Sequence, residues 1–176
     1  NIGIDTNVYL PDDAIDLVHE ANFTTNCDTV GQAGGYASRA YKRLCADVDL
    51  IGYIGADWMG AHIRSVLESD GIGTVGLLID PQGTSRSINL VYPDGTRRNF
   101  YDGKSHMILQ PLLDECLAVM AGARLAHFNI PNWARHLLEP ARQLGLTIAC
   151  DIQDVVDPID PYRLDFIRQA DYLFFS

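Results

Sequence analysis

The chain has 176 residues, of which 47% are hydrophobic and 20% charged, as is ordinary for one globular domain. Its formal net charge of −10 disfavours nucleic acid and anionic membranes as partners, because both would repel it. The cysteines, Cys27, Cys45, Cys116 and Cys150, lack metal-binding spacing, and neither an export signal nor an apolar run long enough to span a membrane is visible. We therefore expect free thiols and a cytoplasmic protein.

Residues 2–10 alternate between apolar and polar types, which predicts a strand. Asp5 and Asn7 share one face near its carboxyl end, where open α/β sheets bind ligands. Because buried polar groups need partners, we predict that both bind substrate hydroxyls, and bonding to the neighbouring backbone is the alternative. Residues 11–29 lack a sustained period and are predicted to form an irregular or short-stranded excursion.

Gly34 and Gly35 open a helix predicted over residues 35–46. With no side chain in the way, a ligand hydroxyl or anion could approach the backbone there, although the pair alone favours a simple tight turn. A buried strand over residues 48–54 and a helix that begins after Asp57 follow, and Gly71 marks the end of that helix. A further strand is predicted over residues 75–79.

Two strand-like runs, residues 85–92 and 96–101, flank a Pro-Asp-Gly turn and predict a hairpin that leaves the parallel sheet. Arg97 and Arg98 follow this turn on opposite faces, so at most one of them can reach an acidic or phosphorylated group on a substrate. Exposure to solvent is the alternative for both side chains.

The second half of the chain alternates between helices and strands, which predicts an α/β fold with a mostly parallel sheet and helices on both faces. His127 is expected to be a packed core residue. The predicted helices cover residues 111–120, 134–144 and 161–169, and the predicted strands cover residues 125–130, 146–150 and 172–175. No G-x-G-x-x-G fingerprint follows the first strand and no G-x-x-x-x-G-K-[ST] loop is present, which disfavours nicotinamide-dependent oxidoreductases and P-loop enzymes.

Three features together resemble the ribokinase-like (PfkB) carbohydrate kinase family. They are the Gly34-Gly35 pair at a helix start, the run IGYIGADWMG at residues 51–60, and LESDGI at residues 67–72. The resemblance covers the whole chain in order, but only about the N-terminal half of a typical family member. It implies a three-layer α/β sandwich with a mostly parallel central sheet and a small β lid, and phosphorylation of a sugar-like hydroxyl by ATP with Mg²⁺.

The resemblance also implies roles for particular residues of the acceptor-substrate half of the site. Residues 11–29 and 85–101 fall where the family builds its lid, and a homodimer formed through that lid is plausible because lid sheets expose edges. The positions matched to substrate binding are Asp5, Asn7, Gly34, Gly35 and Asn129, and we add Arg97 as the arginine that reaches the substrate.

Two positions depart from the family pattern. Arg39 stands where members usually have Asn, and a longer cation there favours an anionic substrate or an altered specificity. Asn7 stands where Asp is common, so hydroxyl binding is redistributed between Asn7 and Asp5.

The family's Gly-Ala-Gly-Asp stretch, which holds the catalytic base, and most ATP contacts would lie beyond Ser176, so we expect that this chain alone is not a competent kinase. Two alternatives stay open: a nucleoside kinase of the same family, and a non-catalytic homologue that binds a sugar or metabolite. A Gly-Ala-Gly-Asp stretch after Ser176 would favour the enzymes over the binding protein.

Overall fold

A computed structural model describes residues 1–44, 47–155, 157 and 159–176. The strands are β1 (Gly3–Tyr9), β2 (Thr25–Gly31), β3 (Gly52–Ile54), β4 (Leu77–Ile79), β5 (Arg86–Val91), β6 (Arg97–Asp102), β7 (Leu125–Phe128), β8 (Thr147–Asp151) and β9 (Tyr172–Phe174). The helices are α1 (Gln32–Leu44), α2 (Trp58–Ser69), α3 (Leu113–Met120), α4 (Leu138–Gln143) and α5 (Pro161–Gln169), with a 3-10 helix, Asn132–Leu137, before α4.

The strands form three sheets. The largest has the order β2-β1-β5-β6, a second pairs β3 with β4, and the third has the order β7-β8-β9. Strand β1 runs parallel to β5, and the pairs β3–β4, β7–β8 and β8–β9 are also parallel, while β1–β2 and β5–β6 are antiparallel. The predicted mostly parallel α/β architecture is therefore confirmed.

Local sequence explains where helix α2 begins and ends. Asp57 caps its first turn, because Oδ1 accepts a hydrogen bond from the Gly60 N–H at 2.8 Å. After the last helical residue, Gly71 adopts a φ of 71°, a left-handed conformation that glycine takes without steric cost. Both residues were predicted to mark these positions.

Two apolar clusters lie beneath the sheets. One packs β1, β3 and β4 against α2 and includes Ile63 and Leu67, which are fully buried. The other packs β7 and β8 against helices α3 to α5 and includes Phe166 and Ile148, also fully buried. The four-stranded sheet continues beyond the first cluster, and its β6 edge is exposed along all six residues.

Several predicted boundaries need correction. Helix α1 begins at Gln32, three residues before the predicted start, so Gly34 and Gly35 lie within its first turn. The excursion predicted over residues 11–29 as irregular or short-stranded ends in a strand, since β2, Thr25–Gly31, pairs along its full length with β1. The β5–β6 hairpin lies outside the β3–β4 sheet. It belongs to the four-stranded sheet, where β5 pairs in parallel with β1.

His127 lies in strand β7, as predicted, and is half-buried, so it sits at the margin of the core. Its ring packs against Tyr41 and Phe174, and its Nδ1 is 3.0 Å from the Tyr41 hydroxyl. Cys27, Cys116 and Cys150 are free thiols, as expected, and Cys45 lies outside the described residues. In the part of the chain that the structure describes, none of the helices combines the length and hydrophobicity needed to cross a bilayer.

Candidate functional site

Strand β1 presents Asp5 and Asn7 on one face of the four-stranded sheet, as predicted. We call this surface the Asp5 face, and it consists of the side chains that register with Asp5, Asn7 and Tyr9. The row of Asp5 contains Thr29, Ser87 and Tyr101; the row of Asn7 contains Cys27, Asn89 and Asn99; and the row of Tyr9 contains Thr25, Val91 and Arg97.

The Asp5 carboxylate lies at the start of helix α1. Its Oδ2 accepts hydrogen bonds from the Gln32 N–H and from the Tyr36 hydroxyl, each at 2.9 Å. This position is favourable for a carboxylate, because helix N-termini present unpaired N–H groups and a partial positive charge. Gly31 is required beside it, since a Cβ there would lie 2.3 Å from the same carboxylate oxygen.

Gln32 is strained and tightly held at this junction. Its φ of 60° is unusual for a residue other than glycine, and such outliers concentrate at functional sites. The side chain is buried, and its Oε1 accepts from the Ser85 hydroxyl at 3.2 Å. Its Nε2 has no hydrogen-bond partner among the described residues.

The sequence analysis predicted a role for neither Gln32 nor Tyr36. Burial, opposed by a hydrogen bond with Thr29 and reinforced by the one with Asp5, raises the pKa of the Tyr36 phenol. The hydroxyl therefore stays protonated at neutral pH and can act as a donor to Asp5. Gln32 and Tyr36 flank the glycine pair by two residues or fewer, and that closeness to Gly34-Gly35 is the signal that could have indicated them.

Gly34 and Gly35 pack α1 against the beginning of the chain. The Gly34 N–H donates to the Asn1 carbonyl at 2.8 Å, and a Cβ on Gly34 would lie 2.3 Å from that oxygen. A Cβ on Gly35 would lie 2.7 Å from the Ile2 Cδ1. Close packing thus accounts for both glycines, and their contact with a substrate stays a prediction.

Asn129 follows β7 and is 6% exposed, and its Nδ2 has no partner in the described part of the chain. It lines a cavity of about 970 Å³ together with Gly34 and Ser38. Among the predicted residues, Gly34 and Asn129 line this cavity, whereas Asp5, Asn7 and Arg97 lie on the Asp5 face and do not.

Arg39 is turned toward other partners. Its Nε donates to Asp70 Oδ2 at 2.7 Å, and its Nη1 donates to the Val30 carbonyl at 2.6 Å. The guanidinium therefore joins α1 to the end of α2, and a role in substrate binding stays a prediction.

Arg97 and Arg98 point to opposite faces, as expected. Arg97 pairs with Val91 in the row of Tyr9 and therefore lies on the Asp5 face, whereas Arg98 lies on the other side of β6.

Asn7 Oδ1 accepts a hydrogen bond from Asn89 Nδ2 at 3.1 Å.

Across the residues that the structure describes, no group of three or more His, Cys, Asp or Glu side chains is arranged to hold a metal ion. The side chains of the Asp5 face are hydroxyls, amides, one carboxylate and one guanidinium, together with the Cys27 thiol and the apolar Val91. The polar members of this set suit recognition of hydroxyl groups through hydrogen bonds.

Comparisons with known proteins identify relatives of this chain. The chain is 23% identical over 175 residues to an acarbose 7(IV)-phosphotransferase of Actinoplanes sp., and the match covers 99% of this chain and 58% of that protein. The solved structure of a microbiome-derived acarbose kinase, Mak1, is 28% identical with a TM-score of 0.88, covering 99% of this chain and 58% of the other.

Two ribokinase structures share the fold. A ribokinase from Giardia lamblia matches with a TM-score of 0.81 at 16% identity, over 99% of this chain and 54% of that one. A ribokinase from Arabidopsis thaliana, solved with ribose and ATP, matches with a TM-score of 0.79 at 16% identity, over 99% and 57% of the two chains. This chain thus spans little more than half the length of these proteins. The pfkB family of carbohydrate kinases matches residues 7–175, and the chain belongs to that family.

Proposed function

We propose that the full-length protein transfers a phosphoryl group from ATP to a hydroxyl of a sugar, and that this chain supplies the acceptor side of the site. The observation that carries the proposal is the oriented Asp5 carboxylate. Gln32 and Tyr36 both donate to Oδ2, while Oδ1 accepts no bond from the described residues. Oδ1 is thus available to accept a hydrogen bond from a substrate hydroxyl.

The residues of this chain are proposed to bind and orient the acceptor. Holding a hydroxyl in line with the transferred phosphoryl group supplies much of the catalysis in such reactions. The catalytic base and most ATP contacts are proposed to lie outside this chain. ATP with Mg²⁺ belongs to the proposal as the phosphoryl donor, and the acarbose-phosphorylating relatives and the ribokinase structure with ribose support a sugar as the acceptor.

We further propose that the four-stranded sheet acts as a lid that covers the acceptor and excludes water. Residues 11–29 and 85–101, the proposed lid segments, both contribute strands to it. Its other face exposes Ile88 at 40% and Phe100 at 60%, which supports a homodimer formed through this sheet. The free thiols Cys27 and Cys116 support a cytoplasmic location.

Direct chromatographic measurement of ADP release by the purified full-length protein tests the proposal. The acceptors are glucose, fructose, ribose, acarbose and adenosine, each with and without EDTA. We expect ADP release that depends on a sugar and stops when EDTA removes Mg²⁺. Faster turnover of adenosine than of any sugar would identify a nucleoside kinase. Saturable sugar binding without ADP release would identify the non-catalytic homologue, and both results contradict the proposal.

A further inference from the structure

Three asparagine side chains form a continuous hydrogen-bonded ladder across the Asp5 face. Asn99 Nδ2 on β6 donates to Asn89 Oδ1 on β5 at 2.8 Å, and Asn89 Nδ2 donates to Asn7 Oδ1 on β1 at 3.1 Å. The three residues are register partners, so the ladder crosses three strands at a right angle to them.

The ladder has a fixed direction. Asn89 is 3% exposed and uses both its oxygen and its nitrogen within the ladder, so it relays the orientation of its neighbours. At one end, the half-buried Asn7 keeps the donors of its amide nitrogen for another partner. At the other end, the exposed Asn99 keeps its oxygen and one N–H. Fixed amides with unused groups are suited to paired hydroxyls.

Stability alone does not explain the ladder. Asparagine is depleted in strands, and three aligned asparagines therefore weaken the preference of this sheet for strand structure. Strand β5 also buries Ser87 and Asn89 while Ile88 is 40% exposed, the reverse of the usual pattern. Residues that break a local rule without a gain in packing are expected at functional sites.

The Asp5 face is longer than one sugar ring needs. Residues two apart on a strand are about 6.6–6.8 Å apart, so the three rows from Asp5 to Tyr9 span about 13 Å. In the third row Tyr9 is 46% exposed, and Arg97, on the far side of Val91, is exposed as well. An exposed aromatic ring offers a surface on which the apolar side of a pyranose can pack.

We propose that the acceptor is an oligosaccharide of at least two rings that lies along the Asp5 face. The reacting ring sits in the row of Asp5, the next ring binds the Asn7–Asn89–Asn99 ladder, and a third ring packs on Tyr9. This inference rests on the proposed sugar-kinase function. It adds that the protein selects acceptors by length, through residues remote from the reacting hydroxyl.

The experiment measures binding of glucose, maltose and maltotriose to the full-length protein by calorimetry, with ADP release measured in parallel. Affinity should rise from one ring to three. Asn99→Ala and Tyr9→Ala should each reduce the preference for maltotriose over glucose by about three- to tenfold, since each removes one contact of ordinary strength. Arg98→Ala is the matched control on the opposite face of β6 and should leave the preference unchanged.

Equal affinity for one and three rings, or an equal effect of Arg98→Ala and Asn99→Ala, would overturn the inference. The two proposals fail separately. Length-dependent binding without ADP release would contradict the kinase proposal alone. ADP release that is insensitive to acceptor length would contradict the oligosaccharide proposal alone.

Discussion

Strands β5 and β8 bury opposite kinds of side chains. In β8, Ile148, Ala149 and Cys150 are all buried, as expected for a strand of a parallel sheet with both faces covered. In β5, the buried residues are Ser87 and Asn89, and Ile88 between them is exposed. Strand β8 therefore contributes core volume, whereas β5 keeps polar groups in place.

The largest effect is expected for a loss of stability in the core around β8. Phe166 is fully buried against β8, so Phe166→Ala should lower the free energy of unfolding by about 3–5 kcal/mol in the full-length protein. Phe23, before β2, is 91% exposed, and Phe23→Ala should cost less than about 0.5 kcal/mol. Urea denaturation measures both values, and comparable losses would mean that the two regions are not distinguished by burial.

The next largest effect is expected for a substitution of Asp5 on the polar face of the four-stranded sheet. Asp5→Asn keeps the shape of the side chain but removes the charge, and hydrogen bonds to charged groups contribute about 1.5–3 kcal/mol. We therefore expect kcat/KM for the acceptor to fall about 10- to 100-fold while the KM for ATP stays the same. Steady-state kinetics with each substrate varied would decide, and an unchanged acceptor dependence would remove Asp5 from the site.

Asp57 gives an intermediate and pH-dependent effect where α2 meets the loop before β5. Burial raises the pKa of Asp57, but hydrogen bonds from Thr84 and from the Gly60 N–H outweigh it and lower the pKa overall. The ionised carboxylate therefore stabilises the fold above the unfolded pKa of about 3.9, and this contribution is lost as the pH falls through the lower folded value.

Asp57→Ala should thus cost about 0.5–2 kcal/mol at pH 7, the range of lost helix caps, and progressively less toward pH 3. Thermal unfolding of both proteins between pH 3 and pH 7 measures the difference. A cost that does not depend on pH would show that the charge of Asp57 has no part in stability.

The smallest effect is expected at Tyr36, whose hydroxyl donates to the Asp5 carboxylate and so orients it. Tyr36→Phe removes one neutral donor to Oδ2 and should lower acceptor kcat/KM about three- to tenfold. The double variant with Asp5→Asn should show less than the sum of the two effects, because the two side chains share one hydrogen bond. Fully additive effects in this double-mutant cycle would argue against the coupling.

Local pattern was sufficient for much of the fold. The α/β alternation, the Asp57 cap and the shared face of Asp5 and Asn7 all depend on spacing within one element, which the sequence displays directly. Strand β2 could not be predicted in the same way. Its sequence, TNCDTVG, is mostly polar, and it becomes a strand because β1 provides hydrogen-bonding partners.

The missed parts of the candidate site depend on distant partners. Asp70, which engages Arg39, lies 31 positions away in sequence, and the ladder of Asn89 requires the register of three strands. The sequence does not show the strained backbone of Gln32, although the closeness of Gln32 to Gly34-Gly35 could have indicated this residue. The partners of Arg39 and Asn89 become visible only when tertiary pairing is known.

A structure of the full-length protein with its acceptor bound would test the role of Asp5 most directly. We expect an acceptor hydroxyl about 2.5–3.0 Å from Asp5 Oδ1, with Gln32 and Tyr36 still bonded to Oδ2. A bound sugar whose hydroxyls are all out of hydrogen-bond reach of Asp5 would contradict this role.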